Sequence, residues 1–244
     1  MARERLDSLL VQRGLCPSRE QAKRLILAGE VLVHDEPCTK AGTLIADDAV
    51  VRVKTPPRFV SRGGLKLEGS LDHFGIDVTG RVAIDVGSST GGFTDCLLQR
   101  GAVRVYAFDV GTNQLVWKLR NDPRVISREK FNVRHLAACD VTEPFDVLVA
   151  DVSFISLTLV LPPVFPHLKA GANAVVLVKP QFELQREDIG RGGIVRDPAL
   201  HQRACDKIQH FIEAQPSLHW QGITESSIQG TDGNREFLAW FRKV

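Results

Sequence analysis

Cysteine is sparse and unpaired in this 244-residue sequence. Cys16, Cys38, Cys96, Cys139 and Cys205 are odd in number, widely spaced and form no Cys-x-x-Cys pair. None stands at zinc-ligand spacing from the seven histidines, so a disulfide framework, a structural metal and metal-assisted catalysis all lack support. Long apolar runs are missing too. The best, from Val152 to Phe165, falls short of the roughly 20 residues a bilayer requires and contains Pro162 and Pro163. The opening Met-Ala-Arg-Glu-Arg is charged where a secretory signal needs an apolar core, so a cytoplasmic protein without a membrane partner is expected. Charge of one sign is also absent: the net charge is +2. It is unevenly placed, however. Residues 1–62 hold 11 Lys/Arg against 8 Asp/Glu, which hints at an anionic partner for that part alone.

The remaining signals divide the chain into two textures. From Glu4 to Lys54 the pattern reads helix, helix, short strands. Leu6, Leu9 and Leu10 form one apolar face before Gly14, and Ser18-x-x-Gln21 opens a second helix carrying Ala22, Leu25 and Ile26, which stops near Gly29. Val31–Val33 and Val50–Val53 read as strands, and Thr55-Pro56-Pro57 breaks both patterns. The spacing predicts a small α+β module over 1–55, a linker over 56–62 and an α/β domain over 63–244. In that domain strand candidates at Val82–Val86, Val103–Phe108, Val125–Ser127, Val147–Asp151 and Ala174–Lys179 alternate with helices, as in a mostly parallel, Rossmann-like sheet. Ile223–Gln229 and Phe237–Arg242 predict an antiparallel C-terminal hairpin.

The sharpest local signal is Asp85-Val-Gly87-Ser88-Ser-Thr-Gly91-Gly92-Phe93, which follows an apolar strand and opens a helix. Its glycines suit a tight turn beside a ligand, and Asp109, at the end of the next strand, can accept hydrogen bonds from both ribose hydroxyls of an adenosine. The spacing is Gly-x-x-x-Gly-Gly rather than Gly-x-Gly-x-x-Gly, and Asp85 stands where a carboxylate would favour a cationic amino-acid end over a pyrophosphate. Both features point to S-adenosyl-L-methionine; a plain βα turn is the bland alternative. Asp151-Val-Ser-Phe ends the fourth strand, where an Asp/Asn-Pro-Pro-Tyr sequence of amine-modifying enzymes is absent. Lys179 ends the fifth strand, an unusual place for an ammonium because uncompensated burial is costly. Lys66 and Glu236 complete an ordered set of Lys66, Asp151, Lys179 and Glu236, each of which alone would read as a surface charge.

This set resembles that of the FtsJ/RrmJ-type ribose 2′-O-methyltransferases. The whole chain resembles the TlyA family, sometimes labelled haemolysin A, through Ser61-Arg-Gly-Gly-Leu-Lys-Leu, the Asp85–Phe93 turn, Lys179-Pro-Gln-Phe-Glu183 and Gly192-Gly-Ile-Val-Arg-Asp-Pro198. The resemblance implies an S-adenosylmethionine-dependent class I methyltransferase. Its target would be the ribose 2′-hydroxyl of a cytidine in ribosomal RNA, of the large subunit alone or of both subunits. It further implies that Lys179 contacts the 2′-oxygen and helps remove its proton, that Asp151 and Glu236 orient Lys179, and that Lys66 positions the ribose. Cofactor residues would be Asp85, Gly87, Ser88, Gly91, Gly92, Phe93, Asp109 and Asp151. Residues 4–54 resemble the αL RNA-binding module of ribosomal proteins, with Arg5, Arg13, Arg19, Lys23 and Arg24 as phosphate contacts; a solvated basic helix face is the bland reading. His34-Asp35-Glu36 stands where such modules often carry Asn-Gly. Two other classes compete: a cytolysin, suggested only by the haemolysin label, and a non-catalytic RNA-binding assembly factor.

Overall fold

A computed structural model describes residues 3–54, 57–230 and 233–244 and resolves two compact units, Met1–Arg58 and Phe59–Val244. The first comprises β1 (Arg3–Arg5), α1 (Leu6–Gln12), α2 (Arg19–Leu27), β2 (Val31–Val33), β3 (Glu36–Pro37), β4 (Leu44–Ala46) and β5 (Val51–Val53). β1 pairs with β4, while β2 lies between β3 and β5. Leu6, Leu9, Leu10, Ala22 and Ile26 are almost fully buried in its core, and each large side chain there contributes roughly 1.5–3 kcal/mol by leaving water. Ser18 caps α2 by accepting a hydrogen bond from the Gln21 amide at 3.3 Å. The β2–β3 turn keeps a tight-hairpin geometry without Asn-Gly, because His34 and Asp35 both adopt positive φ (52° and 68°). Asp35 is paired with Arg52, which offsets the carboxylate the sequence places in that turn.

The second unit begins at Phe59, within the segment expected to be linker. Phe59 is buried, its ring occupying the space that a side chain at Gly64 would fill, and the Val60 amide donates to Asp95 Oδ2 at 2.9 Å. Then follow α3 (Gly63–Phe74), β6 (Val82–Val86), α4 (Gly92–Gln99), β7 (Arg104–Phe108), α5 (Trp117–Arg120), β8 (Val125–Arg128), β9 (Phe145–Ala150), α6 (Leu157–Val160), β10 (Leu168–Val178), α7 (Pro180–Glu183), α8 (Pro198–Glu213), β11 (Leu218–Glu225) and β12 (Phe237–Lys243). The seven strands run in the order β11-β12-β10-β9-β6-β7-β8. β10, β9, β6, β7 and β8 are mutually parallel; β12 is antiparallel to both β10 and β11. The hairpin starts earlier than expected, at Leu218, because Trp220 and Ile223 cover the large core cluster. One apolar cluster packs on each face of the sheet.

The order in which parallel strands are added reverses between β6 and β9. From β6 the chain steps outward to β7 and β8, then returns to β9 and proceeds to β10 on the other side. Such a switch leaves a crevice at the carboxyl ends of the strands. Val86, Phe108 and Ala150 stand level there, so the next residues, Gly87, Asp109 and Asp151, meet at one edge. Antiparallel β12 adds what a parallel strand could not. Phe237 pairs with Val178, so Glu236 enters the sheet beside the position where Lys179 leaves it.

Candidate active site

Backbone geometry explains the glycine turn after β6. Gly87 adopts φ 81°, and a Cβ there would lie 2.5 Å from the Asp151 carbonyl oxygen. Gly91 adopts φ 99°, and its Cβ would strike Leu119. The turn therefore owes these glycines first to the close approach of the protein's own strand ends. Gly92 opens α4, and Phe93 is buried.

Two cavities share Gly87, Ser89 and Asp151 at this edge. One, of about 500 Å³, has apolar walls that include Phe108, Phe131, Val133 and Ile155, with Asp109 among its polar groups. The other, of about 390 Å³, is lined by Gly87, Ser88, Gly92, Phe93 and all four charged residues singled out in the sequence, Lys66, Asp151, Lys179 and Glu236. Asp109 is held by the turn itself: Ser89 N–H donates to Oδ2 at 2.8 Å and Gly111 N–H to Oδ1 at 2.6 Å.

The four charges resolve into two pairs. Lys179 Nζ lies 2.5 Å from Asp151 Oδ1 and donates to Ser153 Oγ at 3.0 Å. Lys66 Nζ donates to Glu236 Oε2 at 2.5 Å. All but Asp151 are under 10% exposed, so each ammonium has the near partner that burial demands. This differs from the expectation that Glu236 orients Lys179. Lys66 projects from the buried face of α3, with Leu67, Ser70 and Leu71, and takes Glu236 as its own partner.

Asp85 is fully buried and lines neither cavity. Thr94 Oγ1 donates to its Oδ2 at 2.6 Å, while Oδ1 has no hydrogen-bond partner among the described residues. Burial pushes its carboxyl up to about 7, reinforced by the charges of Asp151 and Asp109 and opposed by the Thr94 hydrogen bond.

The sequence motifs that contain the aromatic pair beside Lys179 assign it no role. Phe154 is 89% exposed, its backbone sits at φ 65°, and its ring lies 5.1 Å from that of Phe182. Both rings line a third cavity of about 410 Å³, together with Lys179, Gln181, Asn234 and Glu236. A large exposed side chain at positive φ is a conformation that surrounding structure must enforce. Nothing in hydrophobic periodicity reports it, although an aromatic directly after a strand-end Asp-Val-Ser is a usable hint. The 181–198 segment is tied at its far end: the Val195 amide donates to Asn234 Oδ1 at 2.9 Å, and Asn234 Nδ2 to the Gly193 carbonyl at 3.0 Å.

The proposed RNA contacts behave differently from one another. Asp7, fully buried, accepts hydrogen bonds from Arg5 at 3.0 and 3.1 Å and from Arg19 at 3.1 Å. Arg13 donates to the carbonyls of Ala49 and Asp47, and Arg24 pairs with Glu20 at 2.5 Å. Lys23 is exposed.

Comparison with known proteins agrees with this geometry. Residues 59–243 match the model of the FtsJ-like methyltransferases, and residues 4–51 match the S4 domain. The 16S/23S rRNA (cytidine-2′-O)-methyltransferase TlyA of Mycobacterium tuberculosis is 44% identical over 98% of this chain and 90% of its own length. A protein named Hemolysin A from Brachyspira hyodysenteriae is 43% identical over 97% and 99%. Among solved structures, the N-methyltransferase NodS from Bradyrhizobium japonicum, in complex with S-adenosyl-L-homocysteine, shares the fold of 75% of this chain and 85% of its own. Its TM-score is 0.51 at 16% identity. The strand-end crevice, its paired charges and these matches establish that the chain belongs to the FtsJ-like methyltransferase family, with an S4 domain at its N-terminal end.

Proposed function

We propose that the protein transfers a methyl group from S-adenosyl-L-methionine to the ribose 2′-hydroxyl of a cytidine in ribosomal RNA, as the name of its Mycobacterium tuberculosis relative states for that protein. The observation that carries this reading is the Lys179–Asp151 pair at the open edge of the sheet, 2.5 Å apart, with Lys66–Glu236 across the same cavity.

The crevice suits the cofactor. Asp109 stands in the more apolar cavity, where its carboxylate retains lone pairs for ribose hydroxyls beside walls fit for a purine. The unpartnered Oδ1 of Asp85, directly behind the glycine turn, is the kind of buried acceptor that a cationic ligand group would satisfy. When bound, S-adenosylmethionine supplies an electrophilic methyl on a positively charged sulfur. The chain's residues do the rest. Lys179 holds the 2′-oxygen, with Nζ aimed by Asp151 and Ser153. As the oxygen–methyl bond forms and the sulfur–methyl bond breaks to leave a neutral thioether, Lys179 Nζ takes the hydroxyl proton while passing one of its own to the Asp151 carboxylate. Lys66, fixed by Glu236, steadies the ribose. Phe154 offers its ring to the target base, since stacking on an aromatic holds a base without needing to read it. Alignment of hydroxyl and methyl supplies much of the rate.

In the N-terminal unit, Arg5 and Arg19 keep about half their side-chain surface exposed while anchored on Asp7. This presents two oriented guanidiniums to phosphate, with Lys23 on the same helix as Arg19. Among the described residues, no helix is long and apolar enough to cross a membrane.

The test is incorporation of labelled methyl into unmethylated small and large ribosomal subunits, followed by digestion to nucleosides. Label in 2′-O-methylcytidine is the expected result. Label in a base-methylated nucleoside, or in none, contradicts the proposal.

A further inference from the structure

The geometry points to Glu183 as a positioning residue that clamps together the two loops carrying the reactive groups. It touches no reacting atom, and the inference rests on the methyl-transfer reading above.

Each loop is rooted in the sheet at one end only. The first leaves β9 at Ala150 and carries Asp151, Ser153 and Phe154; the second leaves β10 at Val178 and carries Lys179 and Phe182. Between them run the contacts that matter for chemistry, Lys179 to Asp151 and Ser153, and Phe154 to Phe182. Their far ends meet at one carboxylate. Glu183 Oε1 accepts the Leu157 amide at 2.8 Å, and Oε2 accepts the Ser156 hydroxyl at 2.5 Å. Lys207 of α8 closes the clamp from outside, 3.0 Å from Oε2, while its Nζ also donates to the Glu183 carbonyl at 2.6 Å and to Ser156 Oγ at 3.2 Å.

Three features show that this is more than a surface ion pair. The Glu183 side chain is only 2% exposed, so its charge must be met by these donors. The segment it secures contains Phe154 at φ 65°, a backbone state that persists only when both flanks are held. Finally, the carboxylate lies four residues from Lys179 along one loop, and its partner Ser156 lies three from Ser153 along the other. Slack at the clamp therefore passes directly to the Nζ–Asp151–Ser153 arrangement. Displacements of this kind weaken catalysis more than cofactor binding: the Nζ–Asp151–Ser153 arrangement is held by these two loops alone, whereas the cofactor crevice, which takes Asp151 to Ile155 from the first loop, is also walled by Phe108, Asp109, Phe131 and the glycine turn.

The experiment uses the full-length protein, S-adenosylmethionine and unmethylated ribosomal subunits, with wild type, Glu183→Gln, Ser156→Ala and the double variant. Active concentration is set by cofactor-binding titration. Glu183→Gln keeps the shape but loses the charge; kcat falls roughly 10–100-fold, while cofactor Kd and the KM for RNA move by less than about threefold. Ser156→Ala, a milder change that leaves the fold intact, lowers kcat less, and the double variant is no worse than Glu183→Gln alone. Amide exchange across 151–158 quickens in Glu183→Gln. Unchanged kcat per active molecule, with only a lower melting temperature, overturns the clamp, as does full additivity in the double variant. If wild type itself transfers no methyl, the reaction assignment fails. Exchange then decides the clamp alone, and equal protection in Glu183→Gln and wild type overturns it.

Discussion

Asp7 and Asp85 are both fully buried carboxylates, one in each unit, and the protein treats them in opposite ways. Asp7 is met by two guanidiniums: the hydrogen bond from Arg5 is the largest influence, and with Arg19 it outweighs burial and lowers the carboxyl to about 2. Asp85 receives one hydroxyl, leaves an oxygen unmatched and faces the fields of two other carboxylates, so burial prevails and its carboxyl rises to about 7. The first arrangement is what a small unit with a limited core needs, since a satisfied internal ion cluster ties β1, α1 and α2 into one piece. The second costs stability and makes sense where a ligand completes the set. Satisfaction marks structure here, and deficit marks the site.

The comparison gives predictions of decreasing size. Asp7→Asn removes the charged acceptor of two half-exposed guanidiniums and should destabilise the N-terminal unit by about 1.5–3 kcal/mol in denaturant unfolding, leaving cofactor affinity unchanged. A loss below about 1 kcal/mol would place the cluster among ordinary surface pairs. Asp85→Asn should act in the reverse direction. A carboxyl whose folded value is raised binds more protons folded than unfolded between about pH 4 and 7. Wild type therefore loses stability as pH rises through that window, and above it the charged form is the disfavoured one. The variant should unfold at higher temperature than wild type at pH 8, match it near pH 4, and bind S-adenosylmethionine more weakly. Equal melting at both pH values would remove the deficit from the account. Phe154→Ala should raise the KM for RNA or lower kcat by an amount worth about 1–3 kcal/mol, with a smaller change in cofactor Kd, since Phe154 also lines the Asp109 cavity. The smallest effect belongs to Arg24→Ala, whose exposed pair with Glu20 holds only about 0.3–0.5 kcal/mol of stability. RNA affinity measured in the same variant separates a phosphate contact from a solvated helix face.

The sheet was legible in the sequence because parallel strands buried on both faces read as apolar runs, and Val82–Val86 matches its strand end for end. Lys179 and Glu236 were visible as charges at strand ends. Asp151 was expected beside Lys179, but the pairing of Glu236 with Lys66 was not legible, since it depends on α3 delivering Lys66 from its buried face, a tertiary fact with no local signature. Gly87 and Gly91 were legible as a turn, but the reason lay elsewhere, in the Asp151 carbonyl and Leu119 that press against them. Ser153, Phe154 and Glu183 stood inside recognisable motifs but carried no assigned role. Their importance comes from loop geometry and a left-handed backbone at Phe154, which neither composition nor period encodes. Among the basic residues of the N-terminal unit, charge was legible and partnership was not: Arg13 serves two carbonyls of its own chain.

Lys179, fixed by Asp151, acts in this mechanism on the ribose hydroxyl and not on the cofactor. The most direct measurement is single-turnover methyl transfer to ribosomal RNA by wild type and Lys179→Ala, with S-adenosylmethionine affinity measured on the same samples by calorimetry. The account predicts a rate lower by about 10²–10⁴-fold with Kd altered by less than about threefold. A variant that transfers methyl at the wild-type rate, or one whose loss of rate is matched by loss of cofactor binding, would contradict it.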